Sequence, residues 1–491
     1  MSQRGFFQPE GAWVGDVIPW QEDGTFHLFY LYESRRTPKD GMPWHRVVTD
    51  DLTHFREAGE ALASGGREET DFNVYTGSIV LTEDGTHHIF YTGQNPDISG
   101  DDGRPLQVVM HATSRDRMQS WQRHPGDAIG ATAGYETGDW RDPFVFWDED
   151  AHLWRMLITA RHDSGPSRRR GVIAQCTSRD LSVWEPAEPF WNPKRYVAHE
   201  CPEVFQWGDW WYLVYSEFSD AFTTRYRMAR SLHGPWLVPE HDTLDGRAYY
   251  AAKSAARGDR RFFFGWIASR EGNVDDGAWQ WAGTMSVLEA EQRADGTLAF
   301  RHTSELRSAY SELEQELPAG TVLAAPEGYV DALTAVDAPS AFRLKAHFDI
   351  ADGTTEFGVL LRASADGDEG YALRVEPDRH RLVFDRWPRR QTGAEQWQIS
   401  GDVPFSIELE RPCRIEAGQH VLDVIVDGDL CVAVLDDGIV LSTRLYDRQS
   451  GRLGAFVGEG SATLTEFSVY SRLEEPADEQ LPGSALLSTT T

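Results

Sequence analysis

One aromatic strand followed by a Ser/Thr-Asp turn recurs through the first part of the chain, and this repeat constrains the fold more than any other feature. The strands read FHLFYLY, HHIFYTG, LWRMLITA, WWYLVYS and RFFFGWIAS. The turns read VVTDDLTHF, ATSRDRMQSW and CTSRDLSVW, with a looser copy in ARSLHGPW. A repeat of roughly 50 to 65 residues is typical of propeller blades, and about five such units precede residue 300. The pattern predicts an all-β propeller whose innermost strands line one central channel.

The character of the chain changes after the repeats. Residues 304–320, SELRSAYSELEQELPAG, favour a short helix within a connector. From Ala341 onward, short strands such as FRLKAHFDI, YALRVEP and CVAVLDDG alternate with Asp-Gly turns, which is typical of a β-sandwich. The predicted parts are a catalytic propeller at 1–303, a linker at 304–325, a β-sandwich at 326–475 and a disordered tail at 476–491.

Composition excludes several classes of partner. The 78 Asp and Glu against 47 Lys and Arg give a formal charge of -31, which repels nucleic acid and anionic membranes and favours a neutral small-molecule or oligosaccharide substrate. The four cysteines show neither CxxC pairing nor metal-ligand spacing, so we predict no metal and no cofactor. Without a signal peptide or a membrane-spanning run, the sequence predicts a cytoplasmic protein. It leaves open whether the chain forms a homo-oligomer.

Three acidic residues stand in distinctive contexts on different repeats: Asp16 in GAWVGDVIPW, Asp142 in WRDPFVFW and Glu200 in HECPEVFQW. Glycoside hydrolysis needs one carboxylate that attacks carbon or activates water, and one carboxylic acid that protonates the leaving oxygen. A third carboxylate can hold the sugar. The alternatives are a turn acid at Asp16 and a structural ion pair between Asp142 and Arg141. Because the channel of a propeller brings distant blades together, the three acids predict a glycosidase site.

The motifs RDP at 141–143 and ECP at 200–202, after an N-terminal Asp ahead of FHLFY, resemble those of glycoside hydrolase family 32. That family comprises invertases, inulinases, levanases and related fructosyltransferases. Further similar segments are PWHRVVTDDLTHF, VYTGSIV, YYAAKS, WAGTMSVLEAE and HVLDVIVDGDLCVAVLDDGIVLSTRLYD. The resemblance implies a five-bladed propeller followed by a β-sandwich, and a retaining hydrolase of β-fructofuranosides such as sucrose or fructans. It also implies that Asp16 is the nucleophile, Glu200 the general acid/base and Asp142 the transition-state stabiliser.

The segment around Asp16 departs from the family pattern. The family reads Trp-Met-Asn-Asp-Pro-Asn-Gly there, whereas residues 13–19 of this chain read WVGDVIP. The acid and the upstream Trp13 are retained, but the Asn neighbours that help shape the fructose pocket are absent. Since sugar pockets discriminate through hydrogen bonds, we expect a furanose pocket with an altered preference for glycone or linkage.

Seven further residues are candidates for substrate binding. Aromatic rings, hydroxyl groups and a few charged groups are what a sugar site needs. Most of the seven lie in segments that border the sugar pocket of the resembling family. They are Trp44, Tyr75, Thr76, Ser78, Arg141, Lys253 and Trp281.

Two other functions fit parts of this pattern. An inverting furanosidase that resembles glycoside hydrolase family 43, acting on arabinose or xylose, also carries Asp, Asp and Glu on a five-bladed propeller. A non-catalytic sugar-binding protein would keep the fold without turnover. Hydrolysis and fructosyl transfer differ only in the acceptor, so the sequence does not separate them.

Overall fold

The computed structural model describes residues 3–388 and 407–472, which form 31 β-strands, one short α-helix and four 3₁₀ turns. The strands build a five-bladed β-propeller followed by a β-sandwich, so the predicted all-β fold class is confirmed. No helix in these two ranges is long and apolar enough to cross a membrane. The tail predicted at 476–491 lies outside the described residues.

The five blades follow one another along the chain, each running outward from an innermost strand. The short strand β1, at Gln3–Arg4, pairs with the outer edge of blade I. Blade I itself comprises β2 to β5, at Trp13–Glu22, Thr25–Glu33, Trp44–Thr49 and His54–Leu62. Blade II comprises β6 to β9, at Asn73–Leu81, His87–Ser99, Pro105–Ser114 and Gln122–Arg123. Blade III comprises β10 to β13, at Tyr135–Asp148, Leu153–His162, Gly171–Ser178 and Glu185–Trp191. Blade IV comprises β14 to β16, at Glu200–Trp207, Trp210–Glu217 and Thr223–Ala229. Blade V comprises β17 to β20, at Tyr249–Arg257, Arg260–Arg270, Trp279–Gln292 and Leu298–His302.

The second strand of a blade is buried on both faces, which explains its unbroken apolar sequence. In β3, Phe26 and Leu28 pack with side chains of blade V, whereas Phe29 and Leu31 pack with side chains of blade II. Successive side chains of a strand point to opposite faces. Each aromatic strand therefore joins its blade to both neighbours, and the blades close into a ring.

The repeated Ser/Thr-Asp turn connects the third and fourth strands of blades I to III. The acids of the three copies are Asp51, Asp116 and Asp180. The side chain of each accepts hydrogen bonds, at 2.8 to 3.0 Å, from backbone N–H groups two to four residues further along the chain. Where the chain reverses, these local hydrogen bonds take the place of the backbone hydrogen bonds between neighbouring strands. The Ser/Thr-Asp motif that recurs in the sequence thus forms the same hydrogen-bonded turn in three blades.

The sandwich follows the short helix α1, at Ser304–Ser308, and is organised around the last and longest of its strands. Its strands are β21 to β26, at Tyr310–Glu316, Thr321–Leu333, Ala341–Ile350, Glu356–Ala363, Gly370–Glu376 and Arg381–Trp387. The remaining strands, β27 to β31, lie at Leu409–Pro412, Gly418–Asp427, Leu430–Leu435, Ile439–Arg444 and Arg452–Arg472. Strand β31 pairs with β21, β22, β23 and β24 and so joins the two halves of this domain.

The segment 304–320 contains a short helix, as predicted, at its very beginning. Helix α1 spans Ser304–Ser308, capped by the Thr303 side chain, which accepts a hydrogen bond from the N–H of Leu306 at 3.1 Å. Residues 310–316 instead pair with β31, because the backbone ladder with the sandwich outweighs local helix propensity. Part of the segment predicted as a linker therefore belongs to the sandwich sheet.

Buried charged side chains join the propeller to the sandwich. Arg444 of β30 donates to the backbone carbonyls of Ile267 and Ala268 and to the hydroxyl of Thr284, each at 2.8 Å, and also to Asp429 at 2.9 Å. Polar groups that are buried without a partner are costly. The two domains are therefore held in a defined relative position, with blade V next to the sandwich.

Substitution Arg444→Met is expected to lower the free energy of unfolding by about 3 kcal/mol, because several buried acceptors of blade V lose their donor. Urea denaturation followed by circular dichroism measures this. Arg168→Met, at an exposed position, serves as the control and is expected to be neutral. Equal stability of the two variants would contradict this account of the interface.

Candidate active site

The first strand of every blade is interrupted by a β-bulge near its beginning. The register shifts lie between Val14 and Val17, Tyr75 and Gly77, Arg141 and Phe144, Glu200 and Glu203, and Tyr250 and Lys253. Three bulge residues, Asp142, Cys201 and Ala251, have positive φ values of 56°, 49° and 53°. A bulge bends its strand and re-aims the side chains beside it. The five bulges therefore shape the same end of the channel.

A cavity of about 450 Å³ lies at this end, and all three predicted acids line it. Asp16 comes from β2 of blade I, Asp142 from β10 of blade III and Glu200 from β14 of blade IV. Residues that lie 58 to 184 positions apart in the sequence thus share one small space. The structure brings the predicted catalytic group together, while the role of each member stays a prediction.

Asp142 is held by hydrogen-bond donors from two neighbouring strands. Its Oδ2 accepts hydrogen bonds from the hydroxyl of Thr159 at 3.1 Å and from the backbone N–H of Cys201 at 3.0 Å. Its own N–H donates to the Thr92 hydroxyl at 2.8 Å. The side chain is buried, and the Nε of Arg141 lies 3.8 Å from Oδ2. These contacts fix the carboxylate in one orientation at the cavity wall.

Asp16 has fewer donors than Asp142. The indole N–H of Trp266 donates to Oδ1 at 3.2 Å, and the thiol of Cys201 lies 3.7 Å from Oδ2. Burial, together with the negative charge of Asp142, raises the pKa of Asp16 to about 7. The Trp266 bond restrains one carboxylate oxygen and leaves the other with only a weak thiol contact.

Glu200 lies between a cation and a phenol. Arg141 donates to Oε1 at 2.9 Å, and the Tyr250 hydroxyl donates to Oε2 at 2.6 Å. Burial raises the pKa of Glu200 above its usual range, and Arg141 opposes that shift. Glu200 can therefore hold a proton in the free protein, and both donors can stabilise its carboxylate once the proton has left.

Arg141 is the cation around which these carboxyl groups collect. It contacts Asp139 at 2.6 Å as well as Glu200, and the surrounding carboxylates raise the pKa of its guanidinium further. The planar fork of Arg suits several carboxylate partners at once. Removing this cation would leave uncompensated negative charge in a buried site.

The structure divides the seven predicted substrate-binding residues into two groups. Tyr75, Arg141 and Trp281 line the cavity. The other four lie beneath its surface and are buried in the propeller: Trp44, Thr76, Ser78 and Lys253.

In the structure these four residues support the cavity wall, and their contact with a sugar stays a prediction. Trp44 donates its indole N–H to the carbonyl of Tyr75 at 3.1 Å. Lys253 donates to the Thr76 hydroxyl at 3.2 Å and to the carbonyl of Gly77 at 2.7 Å, across the channel from blade V to blade II. The resemblance located the right segments, but alternation along each strand turns these side chains away from the cavity.

Several cavity residues were missed in the sequence. They include Glu33, Gln107, Asp139, Phe218 and Tyr250. Tyr250 occupies the bulge of blade V, the position that Arg141 and Glu200 occupy in blades III and IV, so the propeller repeat could have indicated it. The others lie outside the innermost strands or before a bulge, where no local pattern distinguishes them.

The group of acids can perform acid–base and nucleophilic chemistry on a neutral ligand. One carboxyl group near neutral pKa, a second with a raised pKa and a third held by donors match the needs of glycoside cleavage. Within residues 3–388 and 407–472, no cluster of three or more His, Cys, Asp or Glu side chains is arranged to hold a metal ion.

Comparison with known proteins agrees with this geometry. The model described as glycosyl hydrolases family 32 N-terminal domain matches residues 6–296, and that of the family 32 C terminal matches 304–471. The chain is 24% identical to a sucrose-6-phosphate hydrolase of Escherichia coli, over 94% of this chain and 93% of that protein. It is 23% identical to a levanase of Bacillus subtilis, over 94% of this chain and 69% of that protein.

A solved structure shows the same fold. The exo-inulinase of Aspergillus awamori superposes with a TM-score of 0.76 at 18% identity, and the match covers 96% of this chain and 98% of that chain. At this identity the likeness concerns the arrangement of the two domains.

Carboxyl titration tests the electrostatics of the cavity without any substrate. Wild-type protein is labelled with ¹³C at its Asp carboxyl groups, and the resonance that is missing from the spectrum of Asp16→Asn is assigned to Asp16. This resonance is expected to titrate near pH 7, because Asp16 stays protonated below its raised pKa of about 7. In Asp142→Asn the midpoint is expected at lower pH, since one negative charge has gone. A wild-type midpoint near the ordinary value of about 4 would contradict the assignment.

Proposed function

The chain belongs to glycosyl hydrolases family 32, and we propose that it is a retaining glycosidase that cleaves β-fructofuranosides such as sucrose or fructans. The observation that carries the proposal is the convergence of Asp16, Asp142 and Glu200, from three different blades, on one cavity of about 450 Å³. The names of the relatives, a sucrose-6-phosphate hydrolase and a levanase, support a fructoside as the substrate.

The contacts of each acid suggest its role in the reaction. An oxygen of ionised Asp16 attacks the anomeric carbon while Glu200 passes its proton to the leaving oxygen, so the glycosidic bond breaks and a glycosyl ester forms. Arg141 and Tyr250 then stabilise the Glu200 carboxylate through the bonds they already make. Glu200 next takes a proton from water, which attacks the ester and releases the sugar. Another sugar in place of water gives fructosyl transfer.

Asp142 supports the positive charge that develops on the sugar ring. Its Oδ2 already accepts two hydrogen bonds, so its position does not depend on the substrate. A prepositioned charge contributes more to catalysis than one that must reorient during the reaction. This role requires neither proton transfer nor a covalent bond at Asp142.

The charges of the cavity favour a neutral sugar. Three cationic side chains line it, and each already has carboxylate partners. Lys39 pairs with Glu33 at 2.7 Å, Arg104 with Asp139 at 2.6 Å, and Arg141 with Asp139 and Glu200. A phosphorylated sugar would need a cation able to exchange its partner. We infer that the substrate carries no phosphate.

Two substitutions test the roles of the acids. Asp16→Asn is expected to lower kcat by about 10⁴-fold or more on both sucrose and an aryl β-fructofuranoside, because an amide cannot form the ester. Glu200→Gln is expected to cost about 10³-fold on sucrose but only about 10-fold in the glycosylation of the aryl substrate, whose leaving group departs without a proton. Released sugar and nitrophenolate are measured.

Asp209→Asn provides the matched control, since its side chain is 92% exposed and lies outside the cavity. Proton NMR of the first product separates the rivals: a retained anomer supports the double displacement, and an inverted one would indicate the arabinose- or xylose-type furanosidase. If the wild type turned over none of the furanosides, the result would support the remaining alternative, a non-catalytic sugar-binding protein.

The neutral-substrate proposal makes a separate prediction. The kcat/KM for sucrose 6-phosphate is expected to be no higher than that for sucrose at equal ionic strength, because the cations of the cavity are already paired. Initial rates at several salt concentrations measure the comparison. A preference of about 10-fold or more for the phosphorylated sugar, lost at high salt, would refute the proposal.

A further inference from the structure

Gly15, directly before Asp16, leaves no room for a side chain. A Cβ atom on residue 15 would lie 2.4 Å from Cη2 and 3.0 Å from Cζ2 of the Trp281 indole, and 2.9 Å from Cβ of Leu31. Carbon atoms in contact pack at roughly 3.5 to 4.0 Å. The edge of Trp281 thus occupies the volume that any side chain at residue 15 would need.

Space, not backbone conformation, requires glycine here. The φ of Gly15 lies outside the left-handed region that favours glycine. Any residue could adopt this backbone, so the close approach of the indole is the constraint. Gly15 also belongs to the bulge of β2, which places the Asp16 carboxyl in the cavity.

Trp281 cannot easily yield to a larger residue, because its backbone is tied to blade I. Arg35 donates to the carbonyl of Trp281 at 2.9 Å, to that of Ala282 at 3.2 Å and to the side chain of Gln280 at 2.7 Å. The same guanidinium lies over the ring of Trp13 at 3.9 Å. These contacts therefore restrain the backbone from which the Trp281 indole projects.

The indole of Trp281 also connects to the proposed nucleophile. Its ring meets Trp266 edge-to-face, with centroids 6.0 Å apart and planes at 67°. Trp266 donates the hydrogen bond to Asp16. Trp281 is 38% exposed and lines the cavity, so one face of its ring is available to a ligand.

We propose that Gly15 and Trp281 form one specificity-determining pair for the glycone. Glycine at residue 15 lets the Trp281 indole lie beside Asp16. The cavity wall is therefore aromatic at the place that a side chain of residue 15 would otherwise occupy. Sugars bind aromatic faces through their C–H groups, whereas hydroxyl groups need polar partners. The pair favours a neutral furanoside that turns C–H groups toward Trp281 and directs its hydroxyl groups toward Arg141 and Asp142.

This inference rests on the proposed glycosidase function, and a double-mutant cycle tests it. The proteins are the wild type, Gly15→Ala, Trp281→Ala and the double variant. Gly15→Ala is expected to lower kcat/KM about 100-fold, because the new methyl displaces the indole and with it the geometry around Asp16. Trp281→Ala is expected to cost about 10-fold through the lost aromatic contact.

The double variant is expected to lie within about 10-fold of Trp281→Ala alone, because the closest contact is then gone and only Leu31 Cβ, 2.9 Å from the added methyl group, must shift. A loss near the product of the two single losses, about 1000-fold, would overturn the pair, since independent sites behave additively. Thermal unfolding provides a second cycle: Gly15→Ala is expected to lower Tm in the presence of Trp281 and much less in its absence.

Specificity is measured on an aryl β-fructofuranoside and an aryl arabinofuranoside with the same leaving group. Trp281→Ala is expected to change the ratio of their kcat/KM values by about 10-fold or more, since one sugar loses more aromatic contact than the other. An unchanged ratio would overturn the specificity role. Two controls are expected to behave as wild type: Gly130→Ala, where an added Cβ meets nothing within 4 Å, and Trp147→Ala, a similarly exposed indole outside the cavity.

The two proposals fail in different ways. If the wild type cleaves another furanoside and no fructoside, the proposed substrate is wrong, and the cycle is measured on the furanoside that is cleaved. The Tm cycle requires no substrate at all. A normal wild-type activity on fructosides combined with additive losses would leave the proposed function intact and reject the Gly15–Trp281 pair.

Discussion

The burial of every aromatic blade strand on both faces is the constraint on which the rest of this structure depends. Strand β3 shows it most clearly, because alternate side chains join the cores of two neighbouring blade pairs. A ring built in this way has one place where all innermost strands approach each other. The bulges of those strands lie at one end of the channel, so the packing of the blades determines where the acids meet.

Carboxyl groups that lie close together in a buried space repel one another when they are ionised, and hydrogen-bond donors around them offset this repulsion. Arg141 contacts Asp139 and Glu200 directly, and backbone and hydroxyl donors hold Asp142. Asp16 receives less compensation, and burial raises its pKa to about 7. The unequal distribution of donors gives chemically similar acids different affinities for a proton, and Asp16 can attack carbon only in its ionised form, which becomes populated as the pH rises toward its pKa of about 7.

The wall beside Asp16 illustrates how a short sequence change is linked to distant residues. Gly15 allows the Trp281 indole to approach, and Arg35 restrains Trp281 from the loop after β3. Three segments, from blade I and blade V, therefore define one part of the cavity. A substitution at residue 15 acts on this unit as a whole, because an added Cβ would meet the indole that packs against Trp266.

The sequence by itself determined the all-β class, the blade repeat and the three acids, because aromatic alternation, turn chemistry and the RDP and ECP motifs are local signals. It assigned residues 304–325 to a linker, whereas residues 310–316 pair with β31 in the sandwich sheet. Only the tertiary structure showed that Trp44 and Lys253 lie beneath the cavity while Tyr250 and Asp139 line it. Which face of a strand meets the channel depends on the bulges and on neighbouring blades, and the volume above Gly15 is filled by a residue 266 positions away, so no local pattern could reveal either.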